Sequence, residues 1–285
     1  MKTVIVTGAT SGIGYAICEA LLSEGYPVIG IGRSLDRCNT AKMSLQSGKT
    51  WAQIQFITAD LMQQSDVLRA AREIENMIER MGGTLHALIN NAGGVRGRYM
   101  TTQEGYEQQF ALNHLSGFLL THELMHLIRR DDSSVIFTSS KSHRGTRMNW
   151  NDLMFEKRYK PLHAYKQSKL CNMLFVLSLR EMGVRACGVD PGLVRTDIGS
   201  KNSSAIVDLV WKIRKRGGVQ PEAPAKIYLD LCKKGFKGIY YGLGTKERRE
   251  SCHVNLDNAR KLNDLSLRLC GMREDVTILK EAYAT

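Results

Sequence analysis

Nowhere in the 285 residues does an apolar run approach the eighteen or so needed to cross a bilayer as a helix, so no transmembrane segment is expected. The opening MKTVIVTGAT enters a strand-like run at once, with no room for the charged, apolar and cleavage regions of a signal peptide. No C-x-x-C spacing links Cys18, Cys38, Cys171, Cys187, Cys232, Cys252 and Cys270. An odd, dispersed set reads as reduced thiols rather than a disulfide scaffold, and the expected location is cytoplasmic. Internal repeats, low-complexity tracts and Pro/Gly/Ser-rich linkers are also lacking, which leaves one domain over residues 1–285.

What is present is an ordinary soluble composition, 43% hydrophobic and 24% charged, with a formal charge of +12. From residue 201 onward 17 Lys+Arg stand against 10 Asp+Glu. Such a surplus attracts phosphates, anionic membranes or nucleic acid. No aromatic residues interleave with a basic stripe as single-strand binders require, so nucleic acid is not expected. A solvated basic surface and a polyphosphate cofactor account for the excess.

Strand-like and helix-like stretches alternate from end to end. TVIVT (3–7), PVIGI (27–31), IQFIT (54–58), LHALIN (85–90), SVIFTS (134–139), RACGVD (185–190) and GIYYG (238–242) are short, apolar and β-branched. Between them, Ile13, Ile17 and Leu21 recur at helical spacing, as do Val67, Ala71, Ile74 and Ile78. Residues 163–183 predict a long helix ending on a glycine, and Asn255 can cap a last helix over about 255–270. Strands separated by helices imply right-handed crossovers, hence an α/β, Rossmann-type, doubly wound parallel sheet of about seven strands with helices on both faces.

The turn TGATSGIG (7–14) joins the first strand to the first helix. Gly8, Gly12 and Gly14 have G-x-x-x-G-x-G spacing, not G-x-G-x-x-G, but the physical logic is shared. Glycines let the backbone approach a pyrophosphate, and the helix N-terminus offers N–H donors and a positive dipole. Further on, YKQSK puts Tyr165 and Lys169 four residues apart, on one face of a helix.

With these stand the acidic ADL after strand three, NNAG (90–93), Asn113, TSS after strand five, and PGLVRT (191–196). In this order, at strand ends where an open α/β sheet binds ligands, the set resembles the short-chain dehydrogenase/reductase family over roughly residues 2–200. NHLSGFLLTHEL, DLMFEKRY and SKLCNMLF look like its retinol dehydrogenase subgroup. The resemblance implies an oxidoreductase in which Tyr165 exchanges a proton with an alcohol or carbonyl oxygen. Lys169 would hold the nicotinamide ribose and lower the phenol's pKa, and Asn113 would hold a water in a proton relay. Ser139 and Ser140 both qualify to hydrogen-bond the reacting oxygen; Ser140 matches the family register. Cofactor contacts would come from Gly8, Ser11, Gly12, Ile13 and Gly14, from Asn90, Asn91, Ala92 and Gly93, and from Pro191 and Gly192. Asp60 and Leu61 would border the adenine, and Val194 and Thr196 the carboxamide.

The turn after strand two, GIGRSLDR, has no carboxylate before Asp36, so Arg33, helped by Arg37, is expected to accommodate a 2′-phosphate and select NADP(H) over NAD. The implied substrate is a hydrophobic alcohol or carbonyl compound, and the implied assembly a homodimer or homotetramer paired through the helices near Asn113 and His163. SSAIVDLVWKIRKR (203–216), within a variable stretch 193–220, reads as an amphipathic lid over the substrate, with peripheral membrane contact as the competing reading. Two other function classes share parts of this pattern. A dinucleotide-sensing regulator could use the same fold without turnover. His122, Glu123 and His126 in HELMH fit the H-E-x-x-H zinc-hydrolase pattern, but no third ligand follows at the zincin spacing, and no metal is expected.

Overall fold

β1 (Lys2–Thr7) is buried in all but its first residue, and its pleat sends Ile5 to one face of the sheet and Val4 and Val6 to the other. β2 (Val28–Gly32) repeats the pattern with Ile29 and Ile31 opposite Val28, and β4 (Thr84–Asn90) with Leu88 opposite Ala87 and Ile89. Strands apolar on both faces need a helical layer on each side. The computed structural model, which describes residues 1–48, 51–194, 218–248 and 250–272, has that architecture. With β3 (Ile54–Thr58), β5 (Ser134–Thr138), β6 (Arg185–Val189), β7 (Tyr240–Gly242) and β8 (Lys246–Glu247), the strands form one eight-stranded sheet, ordered β3-β2-β1-β4-β5-β6-β7-β8. β3 to β7 are parallel; β8 pairs antiparallel with β7 through Tyr241↔Glu247 and Gly242↔Lys246. This eighth strand was not expected, because two exposed charged residues carry no apolar alternation.

The helices are α1 (Gly12–Ser23), α2 (Leu35–Gln46), α3 (Gln64–Arg80), the short α4 (Gln108–Phe110) running into a π-helical turn (Ala111–Leu115), α5 (Ser116–Glu123), α6 (Met125–Arg130), α7 (Pro161–Glu181), α8 (Glu222–Lys234) and α9 (Leu256–Leu269). Val67 and Ile74 of α3, Phe118 and Leu120 of α5, and Phe175 and Leu179 of α7 form a core with Ile5, Ile29 and Leu88. On the other face Ile17 and Leu21 of α1 and Ile227, Tyr228 and Leu231 of α8 pack with Val4, Val6 and Ile136. α7 is closed by two bonds, Gly183 N–H to Arg180 C=O and Val184 N–H to Leu179 C=O, with Gly183 at φ 77°. That Schellman geometry is why the helix stops at a glycine.

α9 starts at Asn255, whose side chain accepts from Asn258 N–H at 3.0 Å, and it lies on the far side of α7. Ala259 and Leu262 pack with Leu170, Cys171 and Leu174, Ser266 bonds the buried His114 ring at 2.9 Å, and Tyr106 donates to Leu269 C=O at 2.8 Å. One face of α7 is thus covered by the last described helix of the same chain.

The strand order reverses at β1, with β2 on one side and β4 on the other. The crossovers diverge there, and a crevice opens at the carboxyl ends of the strands. Among the described residues no helix is long and apolar enough to cross a membrane.

Candidate active site

A cavity of about 690 Å³ runs along that crevice. Its floor is the glycine turn. Gly8 and Gly12 sit at φ 67° and 56°, in the left-handed region that side chains avoid. Gly14 is fixed by space, since a Cβ there would lie 2.2 Å from Gly8 O and 2.7 Å from Asn91 Nδ2. Gly14→Ala is expected to force the turn open, lowering stability by about 1–3 kcal/mol and weakening dinucleotide binding. Thermal melts with and without NADPH measure both, and an unchanged ligand-induced shift would show that the turn does not form the cradle.

Gly8, Ser11, Gly12, Ile13 and Gly14 line the cavity from this turn, Arg33 from the end of β2, Arg37 from the first turn of α2, and Asp60 and Leu61 from the end of β3. Asn91, Ala92 and Gly93 line it after β4, Tyr165 and Lys169 from α7, and Pro191, Gly192 and Val194 after β6. Asn90 is not among them, and its buried side chain donates to Thr121 Oγ1 of α5 at 3.1 Å. Asn91 lines the cavity, and its side chain donates to Thr7 C=O at 3.0 Å and accepts from Thr138 Oγ1 at 3.2 Å, tying β1, β4 and β5 together. Thr196 and the segment 203–216 lie outside the described residues. Val194 pairs with Val219, so the chain leaves and returns beside the cavity.

Tyr165 and Lys169 share the cavity-facing side of α7, with Lys169 Nζ 5.7 Å from the Tyr165 ring centroid. The ammonium is 3% exposed and donates to Thr138 C=O at 2.9 Å. Burial in this apolar helix pushes its pKa down to about 8. Asn113 sits within the π-helical turn, a distortion that recurs at functional sites. Its amide accepts from Gly94 N–H at 2.8 Å and donates to Gly94 C=O at 3.0 Å and to Ser168 Oγ at 2.9 Å, clasping the β4 loop to α7. A Cβ on Gly93 would lie 3.0 Å from Asn113 Oδ1 and 3.3 Å from Lys169 Nζ, so Gly93, Asn113 and Lys169 meet at one point. The two serines are placed differently: Ser139 is among the residues that line the cavity and Ser140 is not. Ser139 is buried and its hydroxyl donates to Lys169 C=O at 3.1 Å. Ser140, half-buried, caps a 3-10 turn (Lys141–Gly145) with its hydroxyl facing the Ser142 amide at 3.3 Å and hydroxyl at 3.1 Å. The buried His143 ring, kept neutral by burial, bonds Ser140 C=O at 2.6 Å and holds the turn.

The H-E-x-x-H residues do not converge. α5 ends at Glu123 and a new helix starts at Met125. His122 is packed 4.5 Å from the Phe118 ring and 5.6 Å from Phe175, and burial lowers its pKa to about 4. His126 is exposed, 3.4 Å from Glu75. Arg96, Met62 and Leu112 also line the cavity and were not anticipated. Only the charge of Arg96 after NNAG could have flagged any of them.

A sequence profile described as short chain dehydrogenase matches residues 2–206. The chain belongs to the short-chain dehydrogenase family. Retinol dehydrogenase 14 of Mus musculus is 32% identical over 95% of this chain and 86% of its own length. Retinol dehydrogenase 13 of Homo sapiens is 30% identical over 95% and 85%. These matches place the chain in the retinol dehydrogenase-like subgroup, as an oxidoreductase of alcohol and carbonyl groups. In fold it resembles the short-chain dehydrogenase of Sphingobium yanoikuyae, solved in complex with NADPH, with a TM-score of 0.65 and 19% identity over 85% of this chain and 87% of that one.

Proposed function

We propose that this member of the family uses NADP(H) to interconvert a hydrophobic alcohol and its ketone or aldehyde. The observation that carries the reading is the meeting of Tyr165, Lys169, Asn113 and Gly93 at one end of a cavity floored by the glycine turn. The residues fit a dinucleotide. Side chains are excluded where the backbone must approach a diphosphate, the N-terminus of α1 faces the same space, and Arg33 after β2 and Arg37 in the first turn of α2 line it. Bound there, the nicotinamide supplies or accepts the hydride. The protein's part is the proton and the geometry. The Tyr165 hydroxyl gives a proton to the carbonyl oxygen or takes it from the alcohol. Ser140 Oγ orients that oxygen by a hydrogen bond, the Lys169 ammonium favours the phenolate, and Asn113 supports the relay that restores the proton. The relatives' names, which give retinol, a hydrophobic alcohol, as what they oxidise, support the substrate class.

The test is a panel of small polar and bulky apolar carbonyl compounds, each assayed with NADPH and with NADH. Turnover of apolar members with NADPH is the expected result. Tight NADPH binding without turnover across the panel would transfer the reading to a dinucleotide sensor. Arg33→Ala is expected to weaken NADPH by about 1.5–3 kcal/mol, the scale of a charge-assisted hydrogen bond, and NADH far less. Equal loss of both would remove Arg33 as the reader of the phosphate.

A further inference from the structure

Arg96 belongs to the β4 side of the crevice but reaches toward the β3 side. Its backbone is fixed, because the loop folds back on itself through Thr101↔Glu107 and Arg96 C=O accepts from Tyr159 Oη at 3.3 Å. Its side chain is half-buried, with Nε donating to Gln108 Oε1 at 3.1 Å and Nη2 at 3.8 Å from Met62 Sδ, two residues past Asp60. The guanidinium therefore crosses over β1 toward the ends of β2 and β3, where a doubly wound sheet holds the adenosine of a dinucleotide. Arg33 and Arg37 face the same cavity. Burial and the nearby Arg33 charge both lower the Arg96 pKa, so the two cations repel one another across the cavity.

The carboxylates of Glu107 and Asp60 offset part of that charge. Among the described residues none of the three arginines makes an ion pair. Asp60 Oδ1 is turned to Met62 N–H at 3.1 Å. Glu107 is buried, its carboxylate accepting from Gln109 N–H, Phe110 N–H and Tyr159 Oη at 3.0, 2.8 and 2.9 Å. Three guanidiniums that face one cavity, from the turn after β2, the start of α2 and the loop after β4, call for a ligand with charge at that end, beyond the diphosphate that the α1 N-terminus serves.

We propose that Arg96 closes over the adenosine half of the cofactor from the β4 loop and grips the ribose 2′-phosphate opposite Arg33. NADP(H) is then selected by two guanidiniums on opposite walls, each able to present a two-pronged donor to the phosphate. This rests on the NADP(H) reading above, and the test separates the two. Calorimetric titrations are run with adenosine 2′,5′-bisphosphate, adenosine 5′-monophosphate, NADPH and NADH against the wild type, Arg96→Gln and Arg96→Lys. A wild type that binds the bisphosphate no better than the monophosphate overturns the NADP(H) reading and this proposal with it. Given that preference, Arg96→Gln is expected to raise Kd for the bisphosphate and NADPH about tenfold, or about 1.4 kcal/mol, and for the monophosphate and NADH less than about threefold. Arg96→Lys, which keeps the charge but not the fork, falls between. Equal weakening of all four ligands, or of none, overturns the role of Arg96; retained monophosphate binding shows that the variant is folded.

Discussion

Tyr165→Phe is expected to lower turnover by roughly 10²–10⁴-fold, the contribution of a positioned general acid, while NADPH continues to bind. The substitution deletes one oxygen and leaves the ring, which lies in the second turn of α7 with Lys169 Nζ 5.7 Å from its centroid. Packing around it is unchanged, because the neighbouring α7 residues Ala164, Gln167 and Ser168 are buried whether or not the phenol is present. The helix is pinned independently through Asn113 Nδ2 to Ser168 Oγ and through Gln167, whose amide donates to Leu153 C=O at 2.7 Å and accepts from Asn149 N–H at 2.8 Å. The loss should therefore fall on kcat, with the NADPH Kd within about threefold of wild type by fluorescence titration. Turnover above a tenth of wild type would show that another group moves the proton. Concurrent loss of NADPH binding would show that the hydroxyl is part of the cofactor site rather than the chemistry.

Most of the sheet was legible because buried parallel strands are continuous apolar runs, and each of the seven that the sequence showed is a strand in the structure. β8 was not, because Lys246 and Glu247 owe their strand to pairing with β7, a tertiary fact. In the crevice, residues at strand ends were legible wherever backbone does the work, since glycine spacing exposes backbone approach. Side-chain direction was not. NNAG contains two asparagines in succession, and successive residues at a strand end point opposite ways. Asn91 therefore meets the crevice while Asn90 braces α5. For the same reason the adjacent Ser139 and Ser140 meet different partners, Lys169 C=O and the Ser142 turn. The contribution of Arg96 was hidden because it depends on a side chain crossing β1, which no spacing encodes. H-E-x-x-H misled in the opposite sense. The spacing is present, but the helix breaks at Leu124, and His122 is held by the aromatic core.

Lys169→Met is expected to stabilise the ligand-free protein at pH 7 by about 2–3 kcal/mol while weakening NADPH binding and removing activity. Burial holds the Lys169 pKa at about 8, whereas a lysine in the unfolded chain keeps its proton to about 10.4. At pH 7 both states are charged, and the native state bears the whole cost of a buried ammonium, about 1.4 kcal/mol for each pKa unit. As pH rises through 8 the native lysine loses its proton first. Between about pH 8 and 10.4 the unfolded chain binds more protons, so this group makes stability rise with pH. Methionine fills similar space without charge, and it does not orphan the Thr138 carbonyl, which also accepts from Asn172 Nδ2 at 3.3 Å. The difference between variant and wild type should thus be largest at pH 7 and shrink by pH 10, as urea melts of both proteins at the two pH values would measure. A variant less stable than wild type at pH 7 would mean that the ligand-free site already stabilises the ammonium. The cation would then be part of the resting fold, and not a charge kept at a cost to stability for the cofactor and the phenol that it serves.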